Sequence, residues 1–339
     1  MSVEVKEFGS LPDGCIVRRY DLSGAGGLEI TVLNYGATLQ AVRFGGRDVI
    51  LGFDTLDDYR ENNHSYQGAT IGRYANRIAD GRFALDGKTY TLGLNEHDVE
   101  HLHGGFSGFD CKLWAAQVLS DGGEPSVRFT CTAEDGEEGY PGRLETAVIF
   151  TVTAGNALTI RYEARTDAPT VLNLTNHAYF NLNGFDGADV RDTVLQIEAD
   201  RYMPVDDKLI PTGGLAPVEG TPFDFRAAKA IGRDFSSGLQ GYDHNFVLCG
   251  EGFRRALTAV SPHTGIRMEC WTDQPGVQLY TAGALEEETG KGGKPMGHFQ
   301  AFCAETQHFP DSPNHPEYPS VVLRPGEVFT SVTEYRFSR

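Results

Sequence analysis

The sequence predicts an all-β protein built from antiparallel hairpins in layered sheets, with few short helices. Short segments of alternating polar and apolar residues recur along the chain, and two-residue turns close many of them. The 41 glycines and 16 prolines are spread throughout, with neither a low-complexity linker nor an internal repeat. A single domain over residues 1–339 is therefore expected.

Three hairpins and two short helices illustrate the pattern. Two-residue turns need φ > 0 at central positions, which glycine and asparagine adopt at little cost. The predicted hairpins join residues 42–44 to 48–51 through Gly45-Gly46, 82–85 to 88–91 through Asp86-Gly87, and 148–153 to 158–163 through Gly155-Asn156. Thr55-Leu56-Asp57-Asp58 predicts the start of a short helix, and Arg226 to Ile231 another turn or two.

Composition argues against several classes of partner. Acidic residues outnumber basic ones by 47 to 29, for a formal net charge of -18, so neither nucleic acid nor an anionic membrane is an expected partner. The six cysteines are scattered without a Cys-x-x-Cys pair, which favours reduced thiols. No apolar stretch has the length of a signal peptide core or a membrane span, and a cytoplasmic location is predicted.

Six polar segments break the strand pattern and are candidates for function. They are residues 72–78, 101–105, 173–182, 241–246, 275–281 and 303–316. In the first, the Arg77 guanidinium and the Asn76 side-chain amide offer fixed donors to sugar hydroxyls, although a structural salt bridge is the commoner role of such an arginine. In the last, Glu305 ends an apolar run before a proline-rich loop, which suits a general base, although a lone glutamate is more often merely exposed.

Histidines stand in two of these segments. His101 and His103 are two residues apart, so a strand would place both on one face as metal ligands, but no third or fourth ligand with a recognisable spacing accompanies them. A hydrogen-bonding histidine on a loop is therefore favoured over a metal ligand. Alternation likewise predicts Asn173, Thr175 and His177 on one side of a strand, facing a cleft, unless His177 is simply a core histidine with a satisfied partner.

Taken in order, the segments resemble the aldose 1-epimerase (galactose mutarotase) family over nearly the whole chain. The similar blocks are residues 34–37, 72–78, 102–105, 173–182, 209–213, 220–226, 242–245 and 305–308. The resemblance implies a large galactose mutarotase-like β-supersandwich that acts on a free sugar and uses no cofactor and no metal. It also implies interconversion of the α and β anomers of aldohexoses such as galactose and glucose, by a monomer or homodimer.

The resemblance also assigns roles to individual residues. Glu305 falls at the position of the general base, His177 at that of the general acid, and His103 at a second histidine near the ring oxygen. The positions that hold the sugar are Asn76, Arg77, Asp243 and Gln278. After Tyr280 the chain lacks the Gly-Asn of the family pattern, which leaves the preferred sugar open.

Three further functions stay open at this point. A carbohydrate-binding module without catalysis also lines a groove with Asn, Asp, His and aromatic residues, although a paired Glu305 and His177 argues against it. A relative that acts on hexose 6-phosphates needs an additional cationic pocket, for which Arg73 and Arg77 are the candidates. A metal-dependent hydrolase or isomerase built on His101 and His103 is the third alternative.

Overall fold

A computed structural model describes residues 2–185, 188–237 and 239–339. Its strands, in chain order, are β1 Ser2–Ser10, β2 Ile16–Ser23, β3 Glu29–Leu33, β4 Thr38–Phe44, β5 Arg47–Asp48, β6 Thr70–Ile71, β7 Arg77–Ile78, β8 Arg82–Leu85, β9 Lys88–Thr91, β10 His101–Leu102, β11 Ala115–Ser120, β12 Ser126–Ala133, β13 Leu144–Val152, β14 Ala157–Thr166, β15 Thr170–Val171, β16 Thr175–Asn176, β17 Tyr179–Phe180, β18 Val194–Ile197, β19 Ala199–Tyr202, β20 Ala216–Pro217, β21 Lys229–Ala230, β22 Asp243–Leu248, β23 Arg254–Val260, β24 Arg267–Thr272, β25 Gly276–Tyr280, β26 Glu288–Thr289, β27 Pro295–Met296, β28 Phe302–Gln307, β29 Val322–Leu323 and β30 Phe329–Ser338.

The helices of the described ranges are one α-helix and short 3-10 turns. They are α1 Leu56–Glu61 and the 3-10 helices Ala79–Gly81, Phe109–Cys111, Glu137–Gly139, Ile231–Ser237, Lys291–Gly293 and Ser312–Asn314. None of them has the length and apolar character that crossing a membrane requires.

Three large sheets contain most of the strands. Their strand orders are β1-β2-β3-β4-β5, β11-β12-β13-β14-β30-β24-β23-β18-β21 and β17-β28-β25-β22-β19-β20. Neighbouring strands in all three run antiparallel, as hairpin-rich sequences favour. The predicted fold class, all-β and antiparallel with few short helices, is confirmed.

The main hydrophobic core is shared by all three sheets. Val32 of β3, Phe150 of β13 and Phe302 of β28 all belong to one cluster of buried side chains. Full burial of a side chain of this size contributes about 1.5–3 kcal/mol, so the shared core holds the sheets together. Strand β28 is buried on both faces: Phe302 and Ala304 point into this core, and alternation turns Glu305 to the opposite face.

The three predicted hairpins are confirmed. Strands β8 and β9 have the predicted bounds, and the Asp86-Gly87 turn between them has φ of 50° and 79°, the left-handed values that its geometry needs. The other two turns join β4 to β5 and β13 to β14.

One of the two predicted helices is confirmed and the other is wrong. Thr55 caps α1, because its side chain accepts a hydrogen bond from the Asp58 amide at 3.1 Å. The helix predicted over Arg226 to Ile231 is instead strand β21, which pairs with β18, and the 3-10 helix begins only at Ile231. Pairing at the edge of the nine-stranded sheet outweighs the weak local preference for a helix.

Candidate active site

A cleft of about 400 Å³ lies beside strands β22 and β28, and polar and aromatic side chains line it. The polar and aromatic residues that line it include Tyr66, Asn76, Arg77, Glu96, His103, His177, Tyr179, Asp243, Tyr280, Glu288 and Glu305. Its size and mixture of apolar walls with convergent polar groups suit a small polar ligand.

The six-stranded sheet forms one side of the cleft. Asn245, Gln278 and Glu305 are direct partners across β22, β25 and β28, so their side chains share a face of the sheet. Glu305 is only 2% exposed, and its Oε2 atom has no hydrogen-bond partner among the described residues. A buried carboxylate oxygen without a partner is poised to take a proton or a hydrogen bond from a ligand.

Loops form the opposite side and carry His103 and Asn76 in left-handed backbone conformations, with φ of 52° and 65°. The main-chain N–H of Asn76 donates a hydrogen bond to Nδ1 of His103 at 3.1 Å. Because Nδ1 accepts, a neutral His103 carries its proton on Nε2. His103 is therefore a fixed hydrogen-bond donor on the cleft wall.

His101 and His103 do not share a strand face, and His103 is a hydrogen-bonded histidine on a loop, as the favoured interpretation expects. Strand β10 ends at Leu102, and the left-handed turn at His103 takes its side chain away from the strand pattern. The His101 ring instead contacts the Gly93 carbonyl at 2.8 Å and the Tyr140 hydroxyl at 2.6 Å. Both of its nitrogens are thus occupied outside the cleft.

His177 lies just after β16, and the predicted strand over Asn173, Thr175 and His177 is not formed as one element. The Asn173 amide instead donates to the main-chain carbonyls of Ala75 and His308, which removes it from the cleft. His177 lines the cleft, with its ring stacked on Tyr179 at a centroid distance of 5.0 Å. Sequence alternation found the histidine but not the course of the backbone around it.

Glu305, His177 and His103 form a buried trio whose potential ligand atoms all lie within 4.8 Å of one another. Oε2 of the Glu305 carboxyl group lies 3.6 Å from Nε2 of the His177 imidazole. A carboxyl and an imidazole at this separation can both reach one small molecule placed between them. The trio supplies a base and two proton-bearing groups.

Burial sets the proton affinities of the trio. Desolvation raises the pKa of Glu305 well above its usual range, helped by the nearby Asp243 charge and opposed by Arg77. Desolvation also lowers the pKa of His177 to about 4, although Asp243 acts in the opposite direction. The pKa of His103 is lowered well below its ordinary value for the same reason. Burial therefore outweighs the neighbouring carboxylates at His177.

The residues predicted to hold a sugar surround this trio. Arg77 is 7% exposed and its guanidinium lies 3.2 Å from Glu96 and 3.7 Å from Asp243. Asp243 in turn accepts a hydrogen bond from Gln278 at 2.6 Å. Asn76, Arg77 and Asp243 line the cleft, whereas Gln278 is not among the lining residues and contributes the hydrogen bond to Asp243.

A divalent metal is the alternative that this geometry has to answer, since the trio is compact enough for one ion. A histidine that binds a metal must offer an unprotonated ring nitrogen to it. In His103 the Asn76 amide occupies Nδ1, and Nε2 carries the proton. Coordination through His103 would break that hydrogen bond, so the trio fits hydrogen bonding to a ligand better than metal binding.

Arg73 lies outside the cleft. It is 3% exposed, and its guanidinium donates to the Pro141 and Gly142 carbonyls at 2.7 and 2.9 Å, with Thr170 and Ala133 further contacts. These hydrogen bonds tie the segment 72–78 to the loop after β12. The residue is structural and supplies no cationic pocket.

Sequence reasoning missed several residues of the cleft. Tyr66 packs edge-on against His103 at a centroid distance of 4.9 Å, and Tyr179 and Tyr280 enclose His177. Glu96 anchors Arg77, and Glu288 stands on the cleft lining with Oε2 unpartnered among the described residues. Tyr179 lies inside the polar segment 173–182, so the segment was found although this residue was not singled out.

Comparison with known proteins identifies the family. A family model described as aldose 1-epimerase matches residues 18–336. Galactose mutarotase from Rattus norvegicus is 43% identical over 348 residues, covering 100% of this chain and 99% of that protein. Aldose 1-epimerase from Escherichia coli K12 is 39% identical over 340 residues, covering 96% of each chain.

Solved structures agree with the sequence comparisons. A galactose 1-epimerase from Lactobacillus acidophilus superposes with a TM-score of 0.88 at 30% identity, covering 99% of this chain and 98% of that one. An aldose epimerase homologue from C. elegans gives a TM-score of 0.87 at 35% identity, covering 94% and 98%. The chain belongs to the aldose 1-epimerase family of isomerases.

Proposed function

We propose that this protein interconverts the α and β anomers of free aldohexoses such as galactose and glucose, with Glu305 as general base and His177 as general acid. Glu305 takes the proton from the anomeric hydroxyl while His177 gives a proton to the ring oxygen, and the bond from C1 to O5 breaks. The open aldehyde turns about the bond from C1 to C2, and the ring recloses with the two roles reversed. No net proton is gained or lost.

The observation that carries this proposal is the buried trio. A base and an acid that both reach the same ligand are what ring opening needs, and their atoms lie within 4.8 Å. Each positioned proton-transfer group contributes about 10²- to 10⁴-fold to the rate. His103 would donate a hydrogen bond from Nε2–H near the ring oxygen. The sugar hydroxyls would be held by Asn76, Arg77 and Asp243. Gln278 would keep Asp243 in place through its hydrogen bond.

The pKa shifts favour the proton transfers themselves. Ring opening leaves Glu305 protonated and His177 neutral, and these are the forms that burial favours in the empty cleft. A raised pKa makes the carboxylate a stronger base, and a lowered pKa makes the imidazolium a stronger acid. The Glu305 carboxylate and the His177 imidazolium are consequently the reactive forms. Proton transfer from the anomeric hydroxyl and to the ring oxygen leaves both side chains uncharged.

Optical rotation of freshly dissolved α-glucose and α-galactose tests the proposal. We expect purified protein to accelerate the approach to equilibrium, and to do so equally in EDTA. Binding of both sugars without any acceleration would instead identify a carbohydrate-binding module. Loss of activity in EDTA, with recovery on adding zinc, would favour the metal-dependent alternative.

Free hexoses should be better substrates than their 6-phosphates. Arg73 is committed to main-chain carbonyls, Arg77 already faces Glu96 and Asp243, and further carboxylates line the cleft. Among the described lining residues, a phosphate would meet no arginine or lysine without a carboxylate partner, and it would be repelled. A higher kcat/KM for glucose 6-phosphate than for glucose would overturn this preference.

A further inference from the structure

A buried thiol contacts the proposed acid on the side away from the base. Sγ of Cys303 lies 3.5 Å from Nδ1 of His177, whereas Nε2 of the same ring faces Glu305. Cys303 is 0% exposed and stands two residues before Glu305 on β28, so both side chains point to the same face. One strand thus places a partner at each nitrogen of His177.

The two nitrogens must have different tasks if His177 transfers a proton. The nitrogen that exchanges the proton has to face the sugar, and the other must keep its proton throughout. The His177 main-chain carbonyl also favours the protonated ring. A carbonyl oxygen and a thiol sulfur can both accept a hydrogen bond, so both suit an N–H at Nδ1.

We propose that Cys303 is a positioning residue, whose sulfur accepts a hydrogen bond from Nδ1–H of His177 and leaves Nε2 as the nitrogen that exchanges a proton with the sugar. This inference rests on the proposed function. It gives the two histidines of the trio opposite tautomers when neutral. His103 carries its proton on Nε2 because Asn76 occupies its Nδ1, and His177 carries its proton on Nδ1.

A thiol differs in one important respect from the carboxylate that often supports a catalytic histidine. Burial raises the pKa of Cys303 well above its ordinary value, so the thiol is neutral. A neutral acceptor orients the ring and stabilises its positive charge less than a carboxylate would. The imidazolium therefore stays a stronger acid than it would beside a carboxylate, while its reactive nitrogen is fixed.

Other groups also face the His177 ring. Glu305 lies on β28, Asp243 on β22 and Tyr280 on β25, while Tyr66 and His103 approach from the loop side. Tyr179 stacks on the ring. Among the described residues, Glu305 approaches Nε2 to 3.6 Å, and the Cys303 side chain approaches Nδ1 to 3.5 Å.

Nitrogen-15 NMR of histidine-labelled protein tests the assignment without using activity. At neutral pH without sugar, we expect the His177 signals of an imidazole protonated at Nδ1 and unprotonated at Nε2, assigned by their absence from His177→Gln. The reverse pattern, with Nε2 protonated, would show that the thiol donates and would overturn the proposal. This readout remains decisive even if the protein fails to accelerate mutarotation, which would refute the proposed function separately.

Kinetics of matched variants provide the second test. Cys303→Ala removes one neutral hydrogen bond, so we expect kcat to fall about 2- to 10-fold with KM unchanged, and the NMR signals to show mixed tautomers. Cys303→Ser keeps an acceptor and should restore kcat to within about twofold of wild type. Cys270→Ala is the control, since Cys270 is equally buried but lies in the nine-stranded sheet, away from the cleft.

The outcomes separate positioning from packing. A matching loss of kcat in Cys270→Ala and Cys303→Ala would assign the effect to packing and overturn the proposal. Wild-type kcat together with an unchanged His177 tautomer in folded Cys303→Ala would do the same. Loss confined to Cys303→Ala and recovered in Cys303→Ser supports it.

Discussion

The two sides of the cleft are built differently. The sheet side carries Glu305 and Asp243 on extended strands, where strand pairing fixes their positions. The loop side carries Asn76 and His103 in left-handed conformations, with φ of 65° and 52°. Non-glycine residues adopt this conformation at a cost, which surrounding contacts must offset. The acids are therefore placed by regular structure and the hydrogen-bond donors by strained turns.

The loop side also separates two arginines that stand four residues apart. Arg73 points away from the cleft and binds main-chain carbonyls, whereas Arg77 lines the cleft and faces Glu96 and Asp243. Both are almost fully buried. Burial and residue type thus do not distinguish a structural cation from a ligand-binding one, but the partners do.

The strongest test of the sheet side is Glu305→Gln, which keeps the shape of the side chain and removes the base. We expect kcat to fall by about 10²-fold or more, because Glu305 is the one carboxylate of the trio and an amide in its place cannot take the anomeric proton. Mutarotation followed by polarimetry gives kcat, and circular dichroism verifies folding. Near wild-type kcat in the folded variant, with turnover abolished in Asp243→Asn, would transfer the role of base to Asp243.

Arg73→Met and Arg77→Met sharpen the contrast between the arginines. We expect Arg73→Met to lower the free energy of unfolding by about 3 kcal/mol, because several buried carbonyls lose their donor, while KM of the folded protein stays unchanged. Arg77→Met should instead raise KM about tenfold through a lost charged hydrogen bond. Urea unfolding and steady-state kinetics measure the two effects, and an exchange of these phenotypes would contradict the assignment.

Asp243→Asn probes a sheet residue that we propose holds the sugar without transferring its proton. One acceptor oxygen remains, so we expect KM to rise about three- to tenfold with a smaller change in kcat. Gln278→Met is the matched control, since it removes only the donor to Asp243. A fall in kcat as large as that of Glu305→Gln would show that Asp243 takes part in proton transfer.

A histidine titration tests whether burial keeps the His177 ring uncharged at neutral pH. The pKa of His177 is about 4 in the folded protein, below its ordinary 6.5, so NMR should show a neutral ring down to about pH 4. Between these values the unfolded chain binds a proton that the folded chain does not. The contribution of His177 to stability is therefore present above pH 6.5 and is lost as the pH falls towards 4. Titration near 6.5 would show that burial does not dominate.

Much of the architecture was predictable because hairpin turns leave local signals. Asp86-Gly87 specifies its own turn, and the strands on either side were found with their bounds. Strand β21 at Lys229–Ala230 was not predicted, because its conformation depends on pairing with β18, which is distant in the sequence. In the site, the polar segments and the family resemblance indicated seven residues, and six of them line the cleft. Left-handed turns at His103 and Asn76 leave no comparable sequence signal, so the routing of the loop side was missed.

The burial of β28 on both faces makes the site intolerant of insertions and deletions. Successive residues of the strand belong alternately to the main core and to the cleft, as Ala304 and Glu305 do. Deleting one residue just before Glu305 would slip the strand by one position, turn a carboxylate into the core and leave the cleft without a base. Loops such as the one that contains Ala284 can change in length or sequence at far lower cost. New sugar preferences would therefore arise on the loops, with the strand kept intact.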